Sequence, residues 1–429
     1  MLLYTGFLLS IFLDYVQPGS YLPLIQAARL NSIVPLTVFL VTIFHKGAIS
    51  DQELFQHSNS RWLLYFLLLL VISVLTAEVT QYSFNVFKTV LGFAFWYYII
   101  VKLVTTEQRM RTLFATLVLS HVLLLLLNPQ LITNPEIRSY IQGNTFLGDG
   151  NDYSLSVTIV IPMGLYLIMR ARALWIRLFW GGALAALILG IVGTQSRGAT
   201  IALACVFLFL WWKGRRKLIG LALIALLVSG IVIYAPETYF ERIDSIAHYQ
   251  EEGSAMGRIT AWKTAVRMAE KYPLLGVGSG HFAVKLGTEF RPPEFGVRNL
   301  PWLTAHSMYF LLIGELGIPG IIFLLAVLIG NYLRNNRLMR EAHDRRPELG
   351  TLFMMLNASL VAFAVGGAFL SVAYYPHLYV LAGIWTAANF IHTRMLLERQ
   401  EATPEETPEQ RAERLIWGDS NSKQLDLIR

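Results

Sequence analysis

Three residues combine a side chain that can act chemically with a position at the start of a predicted helix. Arg197 follows Ser196 in "TQSRGAT", Arg258 begins "GRITAWKTAV", and His306 precedes an apolar run in "LTAHSMYF". Serine is a good N-cap, and the free N–H groups of a helix N-terminus add to the charge of an arginine, so Arg197 can bind an anion. The same helix end disfavours a charged imidazole. We therefore expect His306 to be neutral near pH 7 and able to accept a proton.

Further charged residues fall at the ends of predicted apolar helices. Arg29 precedes the second such helix, and Lys88 lies in the first turns of the fourth. Both are secondary candidates for contact with an anionic substrate, and the alternative is contact with lipid phosphates at the membrane edge. The remaining residues of this kind are Glu78, Asp149, Asp152 and His377. Glu315 lies deep within an apolar run, where we expect a structural, hydrogen-bonded role.

Two glycine-containing stretches resemble ligand-binding loops but are better explained as a turn and a helix cap. "GVGSGH" follows no predicted strand, as a phosphate-binding loop would. "GDGND" lacks the residue order of a calcium loop, and we interpret Asp152 as the cap of the following helix. Apart from the pair Asp149 and Asp152, no acidic or histidine cluster has the spacing of metal ligands, and the single cysteine, Cys205, excludes a thiolate metal site. We predict no metal and no cofactor.

The helices that position these residues are apolar enough to lie in a membrane. The chain is 55% hydrophobic and 15% charged, with a mean hydropathy of +0.51, whereas soluble domains carry roughly 25% charged residues. A membrane span needs about 20 mostly apolar residues. We predict an all-α, polytopic membrane helix bundle of about a dozen transmembrane helices, near residues 2–17, 31–45, 62–78, 84–104, 112–128, 153–169, 178–194, 198–212, 218–234, 305–333, 350–371 and 376–394.

Basic residues divide the loops between these helices into two sets. Lysine and arginine are concentrated in the loops at 102–111, 170–177, 213–217 and 334–346. Because cytoplasmic loops carry such an excess, both termini are predicted to be cytoplasmic, and the long loop at 235–303 faces the other side. The net charge of +7 does not indicate nucleic-acid binding, because the positive residues lie in short interhelical loops.

The long loop and the C-terminus have distinct compositions. In "GRITAWKTAVRMAEKY", an amphipathic helix at the membrane rim is predicted by apolar residues at helical spacing, opposite three basic residues. The apolar set is Ile259, Trp262, Ala265, Val266 and Ala269, and the basic set is Lys263, Arg267 and Lys271. We predict one transmembrane domain at 1–396 and a polar, Pro- and Glu-rich cytoplasmic tail without a fixed fold at 397–429.

Three stretches around the long loop form a recognisable series. They are "TQSRGATIAL" at 194–203, "GRITAWKTAVRMAEKYPLLGVGSGHF" at 257–282 and "HSMYFLLIGELGIPGIIFLL" at 306–325. In this order they resemble the O-antigen ligase and polymerase superfamily, in which Ser-Arg-Gly opens a span, an Arg- and Trp-containing helix precedes Pro-Leu-Leu-Gly-Val-Gly, and His-Asn precedes Glu-Leu-Gly-Leu-Pro-Gly. Ser307 departs from this pattern, because the family often has asparagine after the histidine.

The resemblance implies a glycosyltransferase of the bacterial inner membrane, with an undecaprenyl diphosphate-linked glycan as donor and an acceptor hydroxyl on the periplasmic side. It makes His306 the candidate base and Arg197 and Arg258 the diphosphate clamp. The chemistry of these residue types agrees, because guanidinium groups stabilise a diphosphate leaving group without a metal, and attack from the opposite side inverts the anomeric centre.

Within the superfamily, ligation of the glycan to lipid A–core is the first expectation. O-antigen polymerisation and protein O-glycosylation by an oligosaccharyltransferase are the alternatives. A lipid or solute transporter is the alternative from another class. Transporters have internal repeats and broken helices that meet at mid-bilayer, whereas here the charges collect on one face of the membrane, which disfavours transport.

Overall fold

The computed structural model describes residues 1–137, 139–244, 253–291, 303–343 and 346–402, and these form helices, with no strand among them. In chain order the helices are α1 (Leu2–Val16), α2 (Pro23–Ala27), α3 (Leu30–Phe44), α4 (Asp51–Gln56), α5 (Ser58–Thr76), α6 (Thr80–Leu103), α7 (Glu107–Leu127), α8 (Gln130–Thr133), α9 (Gly150–Arg170), α10 (Leu174–Thr194), α11 (Arg197–Lys213), α12 (Lys217–Tyr234), α13 (Glu237–Asp244), α14 (Gly253–Lys271), α15 (Phe282–Gly287), α16 (Met308–His343), α17 (Pro347–Gly366) and α18 (Pro376–Ala402).

The predicted all-α membrane architecture is confirmed. Each of the twelve predicted apolar segments falls on a helix, and within the described residues eight helices are long and apolar enough to cross a membrane. The eight are α5, α6, α7, α9, α10, α12, α16 and α17. Helices α1 and α3 are apolar but have 15 residues each, fewer than the roughly 20 that a straight span needs. The count of twelve spans therefore stays a prediction.

Helix α17 lies at the centre of the bundle, where it packs against α9, α11 and α16. Phe353 and Phe363 of α17 are fully buried, and the Ser359 hydroxyl donates to the Ile159 carbonyl of α9 at 2.8 Å. By contrast, none of the residues of α12 is buried. The central helices α9, α11, α16 and α17 are thus fixed by packing on one another, and they include the helices that begin at Arg197 and just after His306.

The amphipathic helix predicted in the long loop is present as α14, but part of its predicted apolar face is wrong. The residues buried against α16 are Ala261, Thr264, Ala265 and Met268, whereas Val266 is 42% exposed. Small side chains let two helices approach closely, so the alanine stripe packs on α16 and leaves the larger valine outside. Placement of this helix at the membrane rim stays a prediction.

The long loop and the tail are described in part. Helices α13, α14 and α15 lie in the predicted loop at 235–303, while residues 245–252 and 292–302 lie outside the described residues. Helix α18 continues through Ala402, past the predicted boundary at 396. The rest of the predicted tail, 403–429, is outside the described residues.

Candidate functional site

The N-terminal ends of α11 and α16 meet at the turn that follows α17. A Cβ atom added to Gly198, the second residue of α11, would lie 3.1 Å from the Cβ of Phe369. One added to Gly367 would lie 2.5 Å from the Sδ of Met308, the first residue of α16. Absence of side chains at these two glycines therefore allows the starts of both helices to lie against residues 367–369.

Arg197 stands where the sequence predicts it, at the capped N-terminus of α11. The Ser196 hydroxyl accepts a hydrogen bond from the Ala199 N–H at 3.4 Å. The preceding residue, Gln195, has a left-handed backbone with φ of 52°, and its side-chain amide donates to the Pro135 carbonyl at 2.9 Å. The predicted cap is confirmed, and the half-buried Arg197 guanidinium extends from a helix end whose N–H groups favour an anion.

Helix α14 is attached to the segment that carries His306 through a tryptophan. The Trp262 indole N–H donates to the Ala305 carbonyl at 3.0 Å, and its ring stacks on Phe310 with 5.2 Å between centroids. Arg258 is four residues before Trp262, and residues at this spacing share one helix face. The contact therefore holds the Arg258 face of α14 against the start of α16.

His306 has an uncommon backbone conformation and a perturbed acidity. Its φ is 47°, in the left-handed region that costs a non-glycine residue about 1–3 kcal/mol and is found more often at functional sites. Burial lowers the pKa of His306 below its ordinary value, the Arg258 guanidinium lowers it further, and the Asp149 carboxylate acts in the opposite direction. The expectation of a neutral ring at pH 7 agrees with this direction.

Asp149 acts on His306, whereas the sequence placed it only among the residues at helix ends and in a weak metal pair with Asp152. It is the N-cap of α9 and accepts the Asn151 N–H at 2.7 Å. The prediction that Asp152 caps this helix is wrong, because α9 already begins at Gly150. Asp152 instead accepts a hydrogen bond from the Tyr375 hydroxyl at 3.3 Å. The order Asp-Gly at 149–150, an N-cap residue before the first helical position, is the signal that could have identified Asp149.

The secondary candidates lie on other helices. Arg29 is the residue before α3 and has a left-handed backbone, and α3 packs mainly on α1 and α6. Lys88 is exposed on α6, with its Nζ 5.3 Å from the centroid of the Phe84 ring one turn earlier. Neither contact involves α11, α14 or α16, so a role for these two residues in substrate binding stays a prediction.

Glu315, two turns into α16, uses its carboxylate to hold a neighbouring loop. It accepts hydrogen bonds from the Gly280 N–H at 2.8 Å, the Phe282 N–H at 2.9 Å and the Tyr374 hydroxyl at 2.8 Å. Its side chain is 2% exposed. Because buried polar groups with complete hydrogen bonding stabilise a unique packing, this arrangement supports the expected structural role.

The loop that Glu315 holds, residues 273–282, inserts into a break in α16. At Gly317 the helix has φ of 66°, and the Ile318 N–H donates to the Pro273 carbonyl at 2.8 Å. A Cβ at Gly317 would lie 2.4 Å from the Pro273 oxygen, so this approach requires glycine. The break lies two residues before Pro319, at a point where the loop carbonyl replaces a helical hydrogen bond.

The other groups at this end that could act as a base are less suitable. The Glu78 carboxylate lies 2.6 Å from the Lys285 Nζ, and this hydrogen bond lowers the pKa of Glu78, so the carboxylate is a weaker base. His377 is buried between the rings of Phe146 and Tyr375. In the part of the chain that the structure describes, no group of three His, Cys, Asp or Glu residues is placed to hold a metal ion.

The chain was also compared with known proteins. The search of curated proteins found no match. Residues 182–325 match the O-antigen ligase family, which is less than half of the chain but includes Arg197, Arg258, His306 and Glu315. The resemblance inferred from the three stretches is thereby confirmed: the segment that carries these residues is similar to the O-antigen ligases.

Proposed function

We propose that the chain transfers a glycan from undecaprenyl diphosphate to a hydroxyl of lipid A–core at the periplasmic face of the bacterial inner membrane. The family match at residues 182–325 supports a function of the O-antigen ligase or polymerase type. The observation that carries the proposal is the environment of His306, whose pKa is lowered by burial and by Arg258 at the point where α14 meets α16.

His306 is the proposed general base. A base must be unprotonated when the acceptor arrives, and an imidazole with a lowered pKa is neutral at pH 7. His306 takes the proton of the acceptor hydroxyl as the oxygen forms a bond to the anomeric carbon. The bond from that carbon to the diphosphate oxygen breaks, and the diphosphate keeps the electron pair. Because attack comes from the face opposite the leaving group, the anomeric configuration inverts.

Arg197 and Arg258 are the proposed diphosphate clamp. The two residues come from different helices, α11 and α14, and each helix packs near the turn or segment at the start of α16. A planar guanidinium can bind two phosphate oxygens at once and keeps its charge at all physiological pH values. The clamp would stabilise the negative charge that develops on the leaving group, which is the role of a divalent cation in metal-dependent transferases.

Asp149 is the acidic side chain that acts on His306 in the proposed site. Its charge raises the pKa of His306, against the effects of burial and of Arg258. A carboxylate near an imidazole favours the protonated ring that forms after proton transfer. We assign Asp149 to positioning and to stabilising that imidazolium, because its own carboxylate caps α9.

Turnover by the purified protein in detergent tests the proposal. The donor is a lipid diphosphate-linked glycan, and the acceptors offered in separate reactions are lipid A–core, a second lipid-linked glycan and a serine-containing peptide. Ligation predicts free lipid diphosphate and a glycosylated lipid A–core, with or without EDTA. Product with the second lipid-linked glycan alone would make the protein a polymerase, and product with the peptide alone an oligosaccharyltransferase. Unchanged donor in every reaction, with a separately confirmed folded protein, would contradict glycosyl transfer.

A further inference from the structure

A cavity of about 470 Å³ lies at the end of α16 opposite His306, beside the C-terminal end of α11. Beyond the break at Gly317, α16 continues for 26 residues (318–343), which is about 39 Å at 1.5 Å per residue. The hydrocarbon core of a bilayer is about 30 Å thick. A helix that starts at one membrane surface thus passes through the other, and the last turns of α16 reach the level of lipid head groups.

Charged side chains from both helices line this cavity. Lys213 comes from α11, and Arg337 and Arg340 come from α16. Glu341 is the acidic residue among the lining side chains, and its carboxylate accepts from the Arg337 Nε at 2.8 Å. Three cations against one carboxylate leave an excess of positive charge, so the cavity suits an anion.

An uncharged hydrogen-bond acceptor in the cavity wall favours a ligand that can donate a hydrogen bond. The Oδ1 atom of Asn336 is buried, and within the described residues it has no hydrogen-bond partner. A buried acceptor without a donor is costly, so a ligand with hydroxyl groups would be favoured there. The hydroxyls of a glycerol head group are donors of this kind.

Exposed apolar side chains border the cavity. Leu333 lines it and is 61% exposed, and Trp212, next to Lys213, is 62% exposed. The Lys213 Nζ lies 4.6 Å from the centroid of the Trp212 ring, an arrangement suited to a membrane interface, where tryptophan is enriched. An anion bound in this cavity would therefore have acyl chains beside it rather than water alone.

We propose that this cavity binds the head group of an anionic phospholipid that carries glycerol, such as phosphatidylglycerol or cardiolipin. The phosphate lies among Lys213, Arg337 and Arg340, a glycerol hydroxyl donates to Asn336, and the acyl chains lie along Leu333 and the exposed face of α12. Basic cavities between membrane helices bind such head groups in general. The site is separate from the proposed glycan transfer and does not depend on it.

Lipid binding by the intact chain, measured by native mass spectrometry in detergent, tests the proposal. We expect phosphatidylglycerol to bind more tightly than phosphatidylcholine. The double substitution Lys213→Gln with Arg340→Gln should weaken phosphatidylglycerol binding by at least about 10-fold, since each basic residue contributes roughly 5-fold at an anionic surface. The matched control replaces two cations of another loop on the same side, Arg172→Gln with Arg177→Gln, and should bind as the unchanged protein does.

Three results would overturn the inference: equal binding of the two lipids, equal loss in the control variant, or displacement of phosphatidylglycerol by millimolar inorganic phosphate. The last result would mean that the cavity recognises free phosphate instead of a lipid. All four positions are at the ends of helices or in loops, so the variants should fold. If the double variant has a lowered melting temperature, Arg340→Gln alone replaces it, with an expected loss of phosphatidylglycerol affinity of about 5-fold.

Discussion

His306 and Glu315 lie at the same end of α16 and differ in how their polar atoms are used. Glu315 is buried, and its carboxylate accepts three hydrogen bonds from the loop at 273–282 and from Tyr374. His306 is half-buried in a left-handed backbone conformation, and the charges of Arg258 and Asp149 act on its ring.

From this difference we infer a structural role for Glu315 and a chemical role for His306. The hydrogen-bonding capacity of Glu315 is directed inward, so its removal should affect folding. His306 is held by its neighbours, Ala305 through Trp262 and the buried Ser307, and the charges of Arg258 and Asp149 act on its ring. Its removal should affect chemistry. Each prediction below tests whether this division holds.

The largest effect on stability is expected for Glu315→Leu. The substitution leaves the Gly280 and Phe282 N–H groups and the Tyr374 hydroxyl buried without an acceptor, at about 1–3 kcal/mol each. We expect a loss of at least about 3 kcal/mol in the free energy of unfolding, the sum of the three lower limits, measured by denaturant unfolding in detergent. The control Tyr374→Phe removes one donor and should cost about 1 kcal/mol. If Glu315→Leu had normal stability but abolished transfer, the carboxylate would have a role in the reaction rather than in folding.

His306→Ala should show the reverse pattern. Loss of a general base typically lowers the rate by 10²–10⁴-fold. Because His306 already has a strained left-handed backbone, its replacement by alanine adds no new backbone strain. Stability should stay within about 1 kcal/mol of the unchanged protein, and His306→Gly should be the more stable of the two variants, since glycine adopts this φ without strain. Transfer rate and melting temperature are measured on the same preparations. A melting temperature that falls as far as in Glu315→Leu would contradict the division.

Arg197→Ala and Arg258→Ala should have smaller effects on transfer than His306→Ala. Each removes charge-assisted hydrogen bonds worth about 1.5–3 kcal/mol, equivalent to roughly 10–150-fold in kcat/KM. Lysine should restore part of this loss, because it supplies the charge without the bidentate geometry. Arg29→Ala and Lys88→Ala are the comparison, and equal losses in all four variants would mean that the described contacts do not mark the diphosphate site.

The smallest effect concerns the pH dependence of transfer. A base is active when neutral, so the rate falls as the pH drops through the pKa of His306. Arg258 lowers that pKa and Asp149 raises it. Hence Arg258→Gln should move the acidic limb of the rate profile to higher pH, and Asp149→Asn should move it to lower pH. Shifts in the same direction for both variants would show that the limb belongs to another group.

Local patterns in the sequence were sufficient to predict the helices and some local features of the candidate site. Apolar runs located the helices, Ser196 identified the cap of α11, and the lowered pKa of His306 agrees in direction with the expectation from its position before a helix. These features depend on residues close together in the chain. The sequence also predicted a structural role for Glu315, and the carboxylate is indeed hydrogen-bonded, to Gly280, Phe282 and Tyr374, which are 33–59 residues away.

Features that depend on tertiary packing were missed or misassigned. Nothing near Asp149 in the chain indicates that its charge reaches His306, because α9 and α16 are brought together by α17. The apolar face of α14 was misjudged because hydrophobicity favours Val266, whereas close packing on α16 selects Ala261 and Ala265. The break at Gly317 depends on the Pro273 carbonyl, which lies in a different segment of the chain, so the sequence of α16 by itself does not indicate it.

The most direct test of the central claim measures donor binding and transfer separately in His306→Ala and Arg258→Ala. Equilibrium binding of the lipid diphosphate-linked glycan gives the first quantity, and single-turnover transfer at saturating donor gives the second. We expect His306→Ala to bind donor nearly as well as the unchanged protein but to transfer it 10²–10⁴-fold more slowly, whereas Arg258→Ala should lose donor affinity. If His306→Ala loses affinity as severely as Arg258→Ala and transfers normally once donor is saturating, His306 is a binding residue and the proposed base is wrong.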